Sequence, residues 1–301
     1  MPYRSPVRGW LKGNLHTHTT NSDGDSPPEA VAAWYRDVGY DFLALTDHDV
    51  LTRPEEVGAA AGPMLLIRGE ELTAGNVHVN GLGISATVPH VRTDDPTTTV
   101  QANVDAVRAA GGIASVNHPN YRWMLSASVL TGLRDVRLFE VYNGGSETND
   151  AGGNGHASTE GIWDSVLSSG MRMFGIAVDD AHHYLRWGRQ WDNPGRGWVS
   201  VEGNDPTEAE ILMALDEGRF YASTRVELDD LDLGGPTLCV DIATFGDLAY
   251  STAFIGRGGE VLEIVEGSSP RYRVTGSEGY VRARIDDSDG GTAWLQPRLV
   301  R

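Results

Sequence analysis

The sequence predicts an α/β chain of alternating strands and helices, followed by a short antiparallel β region. Three observations predict it. Short apolar runs alternate with helix-like segments between Gly13 and Val178, and polar clusters follow these runs. From Arg225 onward the pattern changes to short alternating segments parted by Gly, Ser and Asp turns. With 301 residues the chain exceeds the usual single-domain size of about 100–200. A large α/β domain over residues 1–224 and a small β domain over 225–301 is therefore expected.

Gly13 to His16 reads as a short strand and Thr17 to Asp25 as a polar loop leaving its end. Ser26-Pro27-Pro28-Glu29 reads as a helix start, with Ser26 as N-cap, Pro27 in the first helical position and Glu29 closing a capping box. That helix should run to Val38 and stop at Gly39. Phe42-Leu43-Ala44-Leu45 fits a strand buried on both faces of a parallel sheet, completing a β-α-β unit. Met64 to Ile67 reads as a strand delivering Glu70 and Glu71, and Val77 to Leu82 as a segment carrying His78. A helix from about Thr98 to Ala110 ends at Gly111-Gly112. The strand Ile113 to Val116 is followed at once by Asn117-His118-Pro119. Leu138 to Val141 gives a strand holding Glu140, and the helix near Glu160 to Ser169 stops at Gly170. Phe174 to Val178 is the next strand, with Asp179-Asp180-Ala181-His182-His183 directly after it. Thr207 to Leu215 forms a helix with a capping box from Thr207 to Glu210, ending near Gly218. Thr237 to Ile242 and Tyr280 to Ile285 then fit a small antiparallel sheet or sandwich, expected to pack against the larger part or to make a dimer.

Composition limits the function. The formal net charge is −18, from 24 basic and 42 acidic residues, which opposes long-range attraction to a polyanion. A nucleic acid polymer is thus disfavoured as principal partner. The one cysteine, Cys239, excludes an intrachain disulfide framework and a cysteine-based zinc site. The stretch Met1 to Trp10 is polar and lacks the apolar run of a signal peptide, and no segment has the roughly 20 apolar residues of a membrane span. A soluble cytoplasmic protein is expected.

The chemistry centres on Gly13 to Asp49. In a strand, the i, i+2 spacing of His16 and His18 sends both imidazoles to one face. Two imidazoles with a hard carboxylate such as Asp23 or Asp49 nearby suit zinc, manganese or iron. Further histidines and acids follow later strands, where parallel α/β folds place their chemistry. The expected protein is a metallohydrolase.

Leu15-His16-Thr17-His18, Ser22-Asp23-Gly24, Thr46-Asp47-His48-Asp49, Gly69-Glu70-Glu71, Asn117-His118-Pro119 and Asp180-Ala181-His182 together resemble the polymerase and histidinol phosphatase (PHP) domain of metal-dependent phosphoesterases, over about residues 10 to 225. The resemblance implies a distorted seven-stranded (β/α)7 barrel with a centre of two or three divalent metal ions, Zn, Mn or Fe. It assigns His16, His18, Glu71 and Asp180 to a first metal. Glu71, the third residue of Gly-x-Glu, would bridge to a second completed by His78 and His118, and Asp23, His48 and His182 would hold a third. Paired metals share a hydroxide and stabilise charge on the attacking and leaving oxygens, so no side-chain nucleophile is needed. Asp47 and Asp49 are candidates to orient the histidines, since a ligating imidazole commonly donates its other N–H to a carboxylate.

Lys12 to Thr19, Trp34-Tyr35-Arg36, Gly39 to His48, and Ala214-Leu215 through Gly218 to Ser223 are similar to the branch that includes carbaryl-hydrolase-type metallohydrolases. That branch has phosphoesterases and carbamate-cleaving members, so two substrate classes stay open. After the last motif, Arg186, Arg189 and Arg196 are candidates to clamp an anion and Trp187 to stack on an aryl group. The alternative is a lid or subunit contact. Asn143 to Gly155 reads as a mobile loop at the mouth. His156 reads as structural, and Glu140 and Asn143 as possible wall residues without a role. The expected activity is phosphoester hydrolysis of a small phosphorylated metabolite or nucleotide. Hydrolysis of a carboxylic or carbamate ester at the same metals is the alternative, and a metal-binding module without turnover is a third reading.

Overall fold

The computed structural model describes residues 9–204 and 207–300. The expected absence of a leader rests on Met1 to Arg8, which lie outside the described residues. The α/β part runs β1 (Trp10–Asn14), α1 (Pro28–Asp37), β2 (Phe42–Leu45), α2 (Pro54–Val57), β3 (Leu65–Ala74), β4 (Val77–Leu82), α3 (Pro96–Ala109) and β5 (Ile113–Val116). It continues with α4 (Ala127–Thr131), β6 (Leu138–Asn143), α5 (Thr159–Ser168), β7 (Phe174–Val178), β8 (Trp198–Glu202), α6 (Glu208–Glu217) and β9 (Phe220–Ser223). The remainder is β10 (Leu228–Asp232), β11 (Thr237–Ile242), β12 (Tyr250–Ile255), β13 (Val261–Glu266), β14 (Arg271–Arg273), β15 (Tyr280–Asp287) and β16 (Thr292–Leu299).

Two starts differ from the sequence reading for local reasons. The first helix begins at Pro28, not Pro27, because a residue before proline is driven to extended backbone; Pro27 has ψ 158° and Ser26 Oγ donates to Asp25 instead of capping. The third helix begins at Pro96, capped by Asp95, whose carboxylate accepts from the Thr98 amide at 2.7 Å. At α6 the capping box forms as expected, with Thr207 and Glu210 bonded reciprocally and Gly218 left-handed at the end.

Strands β1, β2 and β3 pair in parallel, as do β5, β6 and β7, while β4 runs antiparallel to both its neighbours. The reversal comes from the tight turn Gly75-Asn76, where Ala74 pairs with Val77 and Gly75 has φ 75°. His78 therefore reaches the site from the start of its strand, and Glu71 from the middle of a long one. Both corrections concern placement: neither residue follows a strand end as the motif pattern suggested. The α/β core is lined by Val79, Val104, Val116, Phe139 and Trp163 on one side and by Leu15, Phe42, Ile176 and Val199 on the other, all fully buried.

Residues after Arg225 form antiparallel strands, but most do not stand apart. The sheet order is β13-β12-β15-β16-β9-β8-β1-β2-β3-β4-β5-β6-β7, so β16 joins β9 and carries the α/β sheet onward. A separate sheet, β10-β11-β14, packs on these outer strands around Leu228, Val240, Phe254 and Leu295. Arg282 of β15 locks the outer strands to α5. It is 2 % exposed, its Nε and Nη2 lie 2.7 and 2.8 Å from the Asp164 carboxylate, and Glu160 pairs with it at 3.0 Å. Tyr280 donates a further hydrogen bond of 2.7 Å to Asp164. No described helix is long and apolar enough to cross a membrane.

Candidate metal centre

The segments beyond the strand ends stitch the site together by continuing the ladders. His18 N donates to Ala181 O at 2.9 Å and Asp180 N to His16 O at 3.0 Å, bridging the segments after β1 and β7. Glu71 N donates to Asp47 O and Asp49 N to Glu71 O, which sets His48 beside Glu71. Gly24 lies so close to His18 that an added Cβ would stand 2.7 Å from its carbonyl, so glycine is required for the Asp23 loop to approach.

Glu71 is the hub. Its oxygens lie 3.4 Å from His16 Nε2, 3.5 Å from His18 Nε2, 2.9 Å from His48 Nδ1, 3.0 Å from His78 Nδ1 and 3.3 Å from His118 Nε2. Asn117 Nδ2 donates to it at 2.7 Å. Glu70 faces the other way, accepting from the Val88 amide, as strand alternation requires. Asp180 Oδ1 sits 3.2 Å from His16 Nε2 and 3.1 Å from His18 Nε2. Asp23 sits 3.5 Å from His48 and 3.3 Å from His182. Ligand-type atoms thus group as His16, His18 and Glu71; as His48, Glu71 and His78; and as His18, Asp23, His48 and His182, each set within 4.8 Å. The nine residues of the expected set come together in one place.

Tautomers test whether this set fits a cation. A carbonyl or carboxylate oxygen can only accept, so the ring nitrogen facing it carries the proton. His16 Nδ1 faces Glu140 at 2.6 Å, His78 Nε2 faces Gly75 O at 3.0 Å, and His182 Nδ1 faces Asp180 O at 2.9 Å. In each neutral ring the other nitrogen then aims a lone pair at a carboxylate of Glu71, Asp180 or Asp23. Such pairs repel unless a proton or a metal ion lies between them, so the donor set fits a cation. Electrostatics say the same. Burial opposes charge on His48, but Asp23 and Glu71 outweigh it and raise its pKa to about 10. Burial likewise opposes charge on His182, and Asp23 and Asp180 raise it to about 9. His18 goes the other way, to about 4, through burial and the neighbouring His182. Glu71 and Asp180 are penalised by burial yet held well below the usual carboxylate range by the surrounding imidazoles.

The expected supporting residues fall elsewhere. Among the described residues the Asp47 carboxylate shows no hydrogen bond to a histidine: it accepts from Thr19 N at 2.7 Å and from the hydroxyls of Thr19, Ser22 and Thr52, tying the Asp23 loop to the end of β2. Asp49 accepts from Thr73 N and lies 2.9 Å from His90, while Thr73 Oγ1 lies 2.6 Å from His48 Nδ1, so Asp49 acts one residue removed. Glu140 is the carboxylate that holds a site histidine. Its signal was a lone acid inside the apolar run Leu138 to Val141, where nothing but a partner justifies a buried charge. His156 stacks on Trp123 with ring centroids 4.4 Å apart and stays outside the cluster.

These ligand-type groups open into a cavity of about 320 Å³, lined beyond them by Tyr121, Gly145, Ser146, Glu147, Thr148 and Asp192. Arg186, Trp187, Arg189 and Arg196 are not among its lining residues. Arg196 donates to the carbonyls of Gly144, Gly188 and Trp191, Arg186 lies over the Trp191 ring, and Trp187 is 56 % exposed beside Trp34. Arg122 adjoins two residues of the cavity wall, 5.3 Å from the Tyr121 ring centroid and 3.3 Å from Glu147. It sits at φ 51°, beside Trp123 at φ 57°, a strained turn that loop-sequence reading does not register.

No family model matches the sequence. Among solved structures, a two-domain protein from Bacteroides vulgatus containing a predicted PHP-like metal-dependent phosphoesterase is similar along 98 % of this chain and 97 % of its own, with a TM-score of 0.54 and 17 % identity. The architecture is shared end to end, and the fold is PHP-like. An amidohydrolase from Chromobacterium violaceum matches 69 % of this chain and 96 % of its own at 16 % identity and a TM-score of 0.41. The 5'-3' exoribonuclease Rnm of Escherichia coli is 34 % identical over 84 residues, a stretch spanning 25 % of this chain and 29 % of that relative.

Proposed function

We propose that this protein is a metal-dependent hydrolase, most simply a phosphoesterase acting on a small phosphorylated metabolite or nucleotide. The observation that carries the reading is Glu71, a buried carboxylate ringed by five imidazole nitrogens and centred between three ligand groups. His16, His18, Glu71 and Asp180 would hold one ion, Glu71, His78 and His118 a second, and Asp23, His48 and His182 a third. When bound, paired divalent ions supply an activated water and neutralise charge on the attacking and leaving oxygens. The chain's own part is to fix that geometry at the floor of a cavity whose wall includes Tyr121 and Thr148 and which leaves room for an ester. The shared PHP-like fold supports this reading.

One observation favours a second substrate class. The cavity lining has carboxylates at Glu147 and Asp192 and no lysine or arginine among the described residues. A neutral carboxylic or carbamate ester needs no anion clamp, so the same centre suits it. Purified protein should be analysed for metal content and offered p-nitrophenyl phosphate, its bis-ester, p-nitrophenyl acetate, a naphthyl carbamate and a short 5'-phosphorylated RNA. Two or three metals per chain and phosphate-ester turnover abolished by His16→Ala are expected. Turnover on the carboxyl esters alone would replace the first reading by the second. Failure to take up any divalent metal after reconstitution would sink both.

A further inference from the structure

Beyond the ligand set lies a fully buried carboxylate, Glu140, on which three of its members depend. We infer that Glu140 is a positioning residue that fixes the tautomer of His16 and the placement of His118 and Asp180; the metal part of this inference rests on the function proposed above. Its Oε1 lies 2.6 Å from His16 Nδ1. Its Oε2 accepts from the His118 backbone amide at 2.6 Å and from Asn143 Nδ2 at 2.7 Å. Asn143 Nδ2 also donates to Asp180 Oδ2 at 3.1 Å, and its Oδ1 accepts from Gly145 N, the start of the cavity wall. One carboxylate on β6 thereby organises groups that follow β1, β5 and β7.

The chemistry makes the dependence specific. A carboxylate can only accept, so His16 must carry a proton on Nδ1, which leaves Nε2, facing His18, Glu71 and Asp180, as the nitrogen that a cation would take. The His118 amide needs its partner for a second reason. His118 has φ 21° and Asp180 φ 49°, backbone states that are unfavourable for a non-glycine residue and persist only when neighbouring bonds impose them. Glu140 is bonded directly to the first and through Asn143 to the second.

Glu140→Gln changes one atom in this arrangement. The amide oxygen can keep the His118 and Asn143 hydrogen bonds, which turns the NH2 towards His16 Nδ1. The ring must then accept at Nδ1 and carry its proton on Nε2, which removes the lone pair from the metal side. Two readouts test this. In metal-free wild-type protein with 15N-labelled histidine, NMR should show a strongly downfield His16 Nδ1–H proton that is missing from His16→Ala, and in Glu140→Gln the ring should switch to the Nε2–H tautomer. In competition with a chelator, Glu140→Gln should lose about 10–100-fold in affinity for zinc at its tightest site, as removal of such outer partners does. A wild-type His16 lacking the Nδ1 proton overturns the inference, and this arm holds even should the variant not fold. A folded Glu140→Gln that keeps the Nδ1–H tautomer, or holds zinc within twofold of wild type, overturns it as well. Wild-type protein that binds no zinc while showing the downfield proton refutes the proposed function and leaves the tautomer assignment standing.

Discussion

The ion pair between Asp164 and Arg282 offers a quantitative test of how the outer strands are held. Asp164→Ala removes both short contacts to the guanidinium and the acceptor of the Tyr280 hydroxyl. Arg282 then keeps only Glu160, at 3.0 Å, inside a site where it is 2 % exposed. Breaking a buried pair by deleting one partner costs about 3–5 kcal/mol, and the surviving Glu160 places this case near 3. At about 2 °C per kcal/mol for a chain of this size, the melting temperature should fall by roughly 6 °C. Scanning calorimetry or circular dichroism of the metal-replete protein reads this directly. Asp164→Ala with Arg282→Met should recover most of the loss, since no unpaired charge is left and the methionine fills the space of the arginine stem. A melting temperature within 1 °C of wild type in the single variant, or no recovery in the double, would refute the reasoning.

Three further outcomes are expected. Because Asp23 and Glu71 raise His48 to about 10 and Asp23 and Asp180 raise His182 to about 9, both rings hold a proton at pH 8 in metal-free protein. Adding manganese or zinc should therefore release protons, measured by calorimetry in buffers of different ionisation enthalpy; an uptake independent of buffer contradicts the assignment. Lys12, 3.7 Å above the Trp198 ring, is lowered by burial from 10.5 to about 8. Between those values the unfolded chain binds the extra proton, so this group makes stability rise with pH from about 8 to 10.5, by up to roughly 3 kcal/mol. Denaturant melts of Lys12→Met should lack that rise, and an unchanged pH profile would disprove it. Arg122→Ala should raise KM for a phosphate ester several-fold with kcat little changed; a fall confined to kcat would show that Arg122 does not act in substrate binding.

The site was more legible than the strand directions. Histidines and acids beside short apolar runs mark themselves, because a buried polar group needs a partner and the motifs set those partners side by side. Glu71 could be chosen over Glu70 from strand alternation and motif position, and the structure turns Glu71 inward. The reversal at β4 was also present in the sequence, as Gly75-Asn76 between two apolar runs, but the helix-and-strand alternation around it masked the hairpin. Asp47 was assigned by proximity in sequence to His48, whereas its side chain is used by hydroxyls of the Thr19 to Ser22 loop. Glu140 lies far in sequence from His16, so its role appears only once β1 and β6 are placed together. The arginine-rich loop after His183 was legible only as charge in the sequence, and geometry adds that Arg196 donates to backbone carbonyls.

The join between β9 and β16 has a consequence for how the gene can be cut. A boundary at Arg225 looks natural in composition, yet the hydrogen-bonded rungs cross it, so neither half has finished edges. A chain ending at Arg225 would bare the β9 edge and Tyr221, and the separated remainder would bare the β16 edge and Leu295, an invitation to strand-mediated aggregation in either piece. The two halves share one sheet, so a chain cut at Arg225 is expected to lose solubility before its catalysis can be measured.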